Sequence, residues 1–364
     1  MKALIISGAN LDVTPYAFLY ISHLKRYHAQ IEVAVWDRKG GEQSPDASVR
    51  LHVFTSVIDN SIPKARKIAP FLQYRRFLKR ILMDGKYDLV VALDTQFAVL
   101  VSDLLFRYYP GRFVYDMRDL SLEGFAFYRK RMNRLVKESA VTFVSSDGYR
   151  QFFLDNSRIF TLHNYQENDL HYSNREGKLE KHHPIRITFW GYVRELELNK
   201  RIVSILGNDG RFRLAFHGAS PYAEELRSFA EENGYTGVSF SGYYTQNERF
   251  AFSEQTDLIH NLYPNGNGFS NPIMTNKYYD GLIFKIPQVC MYGGFMGARV
   301  EKEEVGIMCR VDETLPDVLY DYYMSLDLNK FGERCGQVLS EILEEQNRSL
   351  EQLHRVIEEN LKTQ

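Results

Sequence analysis

Thirteen short aliphatic or β-branched runs recur along 364 residues, each separated from the next by a longer stretch of helical period. Runs of this kind with helices between them make βαβ units, which close into parallel sheets covered on both faces. Seven runs come first, near Ala3 to Ser7, Glu32 to Trp36, Leu51 to Phe54, Asp88 to Leu93, Arg112 to Tyr115, Val141 to Ser145 and Ile159 to Leu162. The series then breaks at Tyr165 to Pro184, YQENDLHYSNREGKLEKHHP, which is polar, charged and without apolar period. It restarts at Ile185 to Trp190 and continues through Arg213 to His217, Val238 to Phe240, Leu258 to Leu262, Gln288 to Met291 and Gly306 to Cys309. The expectation is an α/β chain of two doubly wound, Rossmann-like domains facing a cleft. Residues 1–165 form the first, 166–184 a linker and 185–335 the second. An amphipathic C-terminal helix over 336–364 carries Val338, Ile342, Leu350, Leu353, Ile357 and Leu361 as its apolar stripe, and it is placed to cross back to the first domain.

Length alone agrees, since one core rarely grows beyond about 250–300 residues. Cys290, Cys309 and Cys335 are odd in number and form no Cys-x-x-Cys pair, so neither a disulfide framework nor a zinc site is indicated, and a cytoplasmic, reducing compartment is expected. The opening MKALIISGAN reads as a first strand, and the apolar stretch YDLVVALDTQFAVLVSDLLF is interrupted by Asp94, Gln96 and Asp103, so no membrane span is expected. There is no Asp-x-Asp, no paired histidine of metal-ligand spacing, no phosphate-binding P-loop, no Gly-x-Gly-x-x-Gly after the first strand and no Gly-x-Ser-x-Gly elbow. Metal chemistry, P-loop NTPases, ordinary NAD enzymes and serine hydrolases are thereby disfavoured, and no cofactor is expected.

The net charge of −1 conceals an asymmetry: 24 Lys and Arg stand against 16 Asp and Glu through Tyr165, and 21 against 30 beyond it. Much of the excess lies in SIPKARKIAPFLQYRRFLKRILMDGK and FAFYRKRMNRLVK, where Arg75, Arg76, Lys79, Arg80, Arg129 and Lys130 alternate with aliphatic and aromatic residues. Basic amphipathic helices of this type bind anionic membrane surfaces, while the plainer alternative buries their apolar stripe in the core and leaves the charges in water. No nucleic-acid recognition motif accompanies them.

In doubly wound folds ligands bind beyond the carboxyl ends of the strands, so the loops after strands are the candidates. YPNGNGFSNPIMTN carries Gly266 and Gly268, and its part from Asn271 onward feeds a helix that starts near Thr275. Backbone N–H groups at a helix start favour phosphate. Lys277 in the first turn adds a full charge, and Asp280 can accept from a ribose diol; the plainer reading is a capped helix with an exposed Lys277–Asp280 pair. In GYVRELELNK, Gly191 allows close approach, and Arg194 and Lys200 reach a diphosphate or remain solvated. Tyr243 or Tyr244, after a strand, can stack on a base or serve as a lid on the core. In the first domain Asp12 is a candidate general base, and VYDMRDL places Asp116, Arg118 and Asp119 after a strand, as base and phosphate-directed cation or as caps and internal ion pairs.

Taken together, ITFWGYVRELELNK, FHGAS, VSFSGYY, NPIMTNKYYDGLIFKIPQV, VYDMRDL, FVSSDG and LHN resemble the stations of GT-B glycosyltransferases, in particular bacterial family-4-like enzymes of capsule and exopolysaccharide synthesis. The resemblance spans nearly the whole chain. It implies transfer of a sugar from a nucleotide-diphosphate donor to a lipid-linked or oligosaccharide acceptor, with Arg194 and Lys200 at the diphosphate, Asp280 at the ribose and no metal. Pro272 stands where the family's Glu-x7-Glu motif has its first Glu, which leaves open an inverting displacement with Asp12 or Asp119 as base. Another GT-B enzyme, such as an epimerase or hydrolase, and a non-catalytic subunit remain alternatives.

Overall fold

The computed structural model describes residues 1–41, 47–57, 68–174, 180–265 and 271–362. All thirteen expected strands form. The first sheet contains β1 (Lys2–Ser7), β2 (Gln30–Asp37), β3 (Val49–Thr55), β4 (Leu89–Leu93), β5 (Phe113–Met117), β6 (Val141–Val144) and β7 (Ile159–Thr161), in the order β3-β2-β1-β4-β5-β6-β7. The second contains β8 (Ile185–Trp190), β9 (Phe212–His217), β10 (Val238–Gly242), β11 (Leu258–Asn261), β12 (Gln288–Met291) and β13 (Gly306–Cys309), in the order β10-β9-β8-β11-β12-β13. Every pairing is parallel. Parallel strands are covered on both faces, which is why LVVAL of β4 is apolar without alternation and buried throughout. The order reverses between β1 and β4 in one sheet and between β8 and β11 in the other, and these two reversals are where such folds place ligands.

Helices α1 (Tyr16–Arg26), α2 (Ile68–Asp84), α3 (Thr95–Leu100), α4 (Ser102–Tyr108) and α5 (Ala126–Glu138) connect the first sheet. Helices α6 (Leu196–Leu206), α7 (Pro221–Glu232), α8 (Arg249–Glu254), α9 (Asn276–Ile283), α10 (Phe295–Lys302) and α11 (Leu315–Ser325) belong to the second, and α12 (Leu328–Lys362) ends the chain. The chain divides into unit 1, Met1–His163 with Glu344–Gln364, and unit 2, Asn164–Leu343. The last helix therefore serves two cores. Phe331, Cys335, Val338, Leu339 and Ile342 are buried in unit 2, whereas Leu353, Val356 and Ile357 are buried with β1, β2 and α1 of unit 1.

The polar stretch expected to link the domains is more structured than its composition suggests. Glu167–Asn174 winds into 3-10 turns. Leu170 and Tyr172 pack on the unit 2 core, with the Tyr172 ring stacked 4.1 Å from Phe250. Two isolated apolar residues set no period, so this packing leaves no trace in the pattern. Gly266 and Gly268 of the expected phosphate loop, and Lys64, Arg66 and Lys67 of the basic segment, lie outside the described residues.

Candidate functional site

At the carboxyl end of the unit 2 sheet the turns after β8 and β9 touch. Gly191 has φ +136° and Gly218 φ +150°, and a Cβ on Gly218 would fall 1.8 Å from the Gly191 carbonyl oxygen, so only glycine fits there. Lys277, in the first turn of α9, reaches this point. Its residue is 5% exposed, a Cβ on Gly191 would lie 3.8 Å from its Nζ, and Nζ donates to the Tyr263 hydroxyl at 2.7 Å. A longer bond of 3.4 Å runs to the Trp190 carbonyl, and the ammonium sits 4.3 Å from the Phe189 ring centre and 5.0 Å from that of Tyr263. Among the described residues no carboxylate pairs with it. Burial, reinforced by the Lys277 charge, lowers neighbouring His260 to about 3, so that ring stays neutral and bonds to Asn199. A buried cation without a counter-ion is costly, and an anionic ligand at the strand end would relieve that cost.

Asp280 does not stand beside Lys277 as an exposed pair. It is 3% exposed, and its oxygens take Trp190 Nε1 at 2.7 Å and Arg249 Nη1 at 2.6 Å. Burial raises its carboxyl against the pull of Arg249 and Trp190. The other arm of Arg249 holds Asp169, so one guanidinium on α8 joins α9 to the 3-10 segment. Arg249 has no sequence signal, because its partners lie 31 and 80 residues away. Thr275, expected as a cap, instead donates to Asn261 on β11 at 2.8 Å and fixes the start of α9.

The remaining unit 2 candidates are more peripheral. Arg194 is exposed, with its guanidinium 5.6 Å from the Tyr192 ring centre. Lys200 pairs with Glu225 at 3.0 Å and Glu197 at 3.4 Å. Tyr243 is 82% exposed, and Asn271 is spent on the loop itself, donating to Pro264 O and accepting from Ile273 N.

In unit 1, Asp12 forms an exposed pair with Lys39 at 2.6 Å. Arg118 is buried and committed to Asp116 through two bonds of 2.8 Å, with Tyr20 donating to the same carboxylate, so its charge is already neutralised. Asp119 is exposed just beyond. The chemically unusual group is Asp94, which follows β4. It has φ +64°, a left-handed conformation rare outside glycine, and it starts α3, its carbonyl accepting from the Phe97 and Ala98 N–H groups while its side chain makes no cap bond. Among the described residues its carboxylate accepts from the Tyr16 hydroxyl alone, at 2.9 and 2.8 Å. Burial is the largest influence and pushes it up to about 7; the Tyr16 bond and Arg118 oppose this, while the charges of Asp119 and Asp116 add to it. Beside β1 the Phe97 ring of α3 occupies the space a side chain on Gly8 would need, which brings the turn after β4 against the turn after β1. Arg38, following β2, lies within electrostatic reach of Asp94; its Nε is buried without a partner among the described residues, and burial lowers its pKa.

The basic helices are two parts of one layer, since α2 and α5 both contact α4. Arg76, Lys79, Arg80 and Lys130 are exposed, whereas Arg75 is held by Asp103 and Arg129 by the carbonyls of Glu123 and Gly124. Leu120, Leu122, Phe125 and Phe127 are exposed next to them, Phe127 at 71%.

Two doubly wound parallel sheets, each with a reversal of strand order, and a last helix shared by both cores give this chain the GT-B fold of glycosyltransferases. Solved structures with the same fold include HepE of Anabaena in complex with UDP, 14% identical over 98% of this chain and 100% of that one, with a TM-score of 0.67. A glycosyltransferase of Rickettsia africae matches 100% of this chain and 99% of its own at 12% identity and a TM-score of 0.70, and the sucrose-phosphate synthase of Thermosynechococcus elongatus matches 96% and 99% at 12% and 0.65. No protein-family model and no curated protein matches the sequence.

Proposed function

We propose that this chain is a metal-independent glycosyltransferase that binds a nucleotide-diphosphate sugar at the carboxyl end of the unit 2 sheet and moves the sugar to a hydroxyl of a lipid-linked or oligosaccharide acceptor. The observation that carries the reading is Lys277, a buried ammonium at a strand end, beside two glycine turns, with no carboxylate partner among the described residues. Departure of a nucleoside diphosphate develops negative charge, and a cation held in place beforehand stabilises that charge without reorganising. Solved relatives of the fold carry UDP and UDP-glucose, which supports a uridine nucleotide as the first probe. The exposed basic and aromatic layer of α2 and α5 supports a peripheral position on an anionic membrane, where a lipid-linked acceptor would reside.

The test is a thermal-shift panel of UDP, GDP and their sugars on wild type and Lys277→Met. Methionine keeps the volume and removes the unpaired charge. We expect at least one nucleotide to raise the wild-type Tm at millimolar concentration, and the variant to match or exceed the wild-type apo Tm while losing that shift. No shift with any nucleotide in wild type, or a full shift in the variant, would sink the donor site.

A further inference from the structure

Resting on the membrane part of that reading and not on its donor site, we propose that unit 1 holds the phosphate of an anionic phospholipid in a cleft at the amino end of its sheet, with Leu154 set into the bilayer beside it. The cleft, about 570 Å³, lies between the last two turns of α5 and residues 154–158, the stretch that leads into β7. Ligands of doubly wound folds bind beyond the carboxyl ends of the strands, so this is a different place from the reversal between β1 and β4. Its walls carry Arg134, Lys137 and Arg158 beside the apolar Val136. The Lys137 ammonium has no partner among the described residues. Arg158 donates to the Ser139 carbonyl at a long 3.5 Å, and Arg134 lies 4.3 Å from the Phe106 ring centre and 3.6 Å from Glu138 in an exposed pair. Asp155, the one acid of the lining, accepts from the Ser157 N–H at 2.9 Å. Exposed pairs contribute little. Three cations against Asp155 and Glu138 leave an excess of positive charge for a phosphodiester, which Arg and Lys bind through charge-assisted hydrogen bonds.

The apolar contact is preformed. Leu154 is 93% exposed, more than any other large apolar residue described. It stands on an ordered turn: Phe152 and Phe153 before it are buried, its N–H donates to Asn133 Oδ1 at 2.7 Å, and Asn133 Nδ2 donates to the Phe152 carbonyl at 3.2 Å. A leucine held outward in water is unfavourable, and acyl chains around it would relieve that cost. From this end the outer face of α5 continues the surface. Lys137, Arg134, Arg131, Lys130 and Phe127 recur at helical spacing, all exposed, over about 15 Å. Glu138 is the one acid of the helix. Cations along one face with an apolar side chain at each end fit a helix lying flat in the headgroup layer. Because α5 joins the parallel strands β5 and β6, it runs antiparallel to them. The strands then lie along the bilayer as well, and the carboxyl end of the unit 1 sheet opens sideways over the headgroups, towards an acceptor carried by a neighbouring lipid.

The experiment follows the full chain carrying Leu154→Trp by its emission, since Trp36 and Trp190 are buried. On vesicles of phosphatidylserine and phosphatidylcholine the emission should move to the blue and be quenched by lipids brominated on their acyl chains, with neither change on phosphatidylcholine alone. In sedimentation, Lys137→Gln with Arg158→Gln should weaken binding to the anionic vesicles about twenty-five-fold, about fivefold for each basic residue, and Leu154→Ser by at least about tenfold. Lys302→Gln with Lys330→Gln removes as much charge from exposed positions of unit 2 and should change binding by less than about twofold. All these side chains are exposed, so each variant should keep the wild-type Tm, which separates loss of binding from loss of fold. If wild type sediments while the Leu154→Trp emission neither shifts nor is quenched, the site is overturned. Equal losses in the two double variants overturn it as well, because net charge alone would then account for binding. If wild type does not sediment with the anionic vesicles, the membrane reading itself fails and this site with it, whereas the nucleotide-induced Tm shift reports on the donor reading separately.

Discussion

Arg249 and Asp280 show how one buried cation decides what a neighbouring acid can do. With Arg249 between Asp280 and Asp169, and Trp190 on the remaining Asp280 oxygen, two carboxylates share one guanidinium inside unit 2. Breaking a buried pair by removing one partner costs about 3–5 kcal/mol, because a charge is left behind. Arg249→Met should therefore lower the stability of the chain by about that amount in denaturant unfolding. Adding Asp280→Asn should recover part of the loss, since one stranded charge disappears. Asp280→Asn alone should weaken the fold and leave nucleotide binding intact; loss of binding without loss of stability would return Asp280 to a ribose-contacting role. At this scale the sequence was legible where chemistry follows local order. Lys277 stood out because a helix start after a strand end is an anion position whatever the distant contacts are. Arg249 and Asp94 did not, since their meaning comes from partners 31 to 80 residues away.

At the scale of elements, the strands were readable almost to the residue, because parallel strands buried on both faces must be continuous apolar runs and few other segments are. The segment at 167–174 was not, since Leu170 and Tyr172 enter the core singly. Helices α2 and α5 lie between these cases. Their periodic apolar residues do bury one stripe, with Tyr74, Leu78 and Leu82 of α2 and Tyr128, Met132 and Leu135 of α5 in the core. That burial leaves Arg76, Lys79, Arg80 and Lys130 facing outward, alongside Leu72, Phe125 and Phe127. Each basic residue near an anionic surface contributes about 1 kcal/mol, screened by salt. The full chain should sediment with vesicles of phosphatidylserine and phosphatidylcholine but not with phosphatidylcholine alone, and reversing Arg76, Lys79 and Arg80 to Glu should release it. Equal binding to both vesicle types would assign these charges to solvation only.

For the whole molecule, the most consequential feature is that the N-terminal sequence does not contain all of its own core. Unit 1 is closed by residues 344–364, which arrive after all of unit 2 has been made. Leu353, Val356 and Ile357 are each no more than 6% exposed within it. Gln346 accepts from the His163 backbone N–H, and Ser349 donates to the Thr161 carbonyl at 2.6 Å. Burial of three such aliphatic side chains is worth about 5–8 kcal/mol, comparable to the whole stability of a typical domain at about 5–15 kcal/mol. Residues 1–163 produced alone should therefore lack cooperative unfolding and bind a hydrophobic dye. Addition of a peptide spanning 344–364 should restore a single cooperative transition whose midpoint rises with peptide concentration, as expected when a ligand binds only the folded form. Replacing Leu353 and Ile357 in that peptide by Asp should abolish the rescue. A cooperative transition of 1–163 by itself, unaffected by the peptide, would mean that the N-terminal strands and helices suffice for their own core and that the last helix only covers a surface already stable without it.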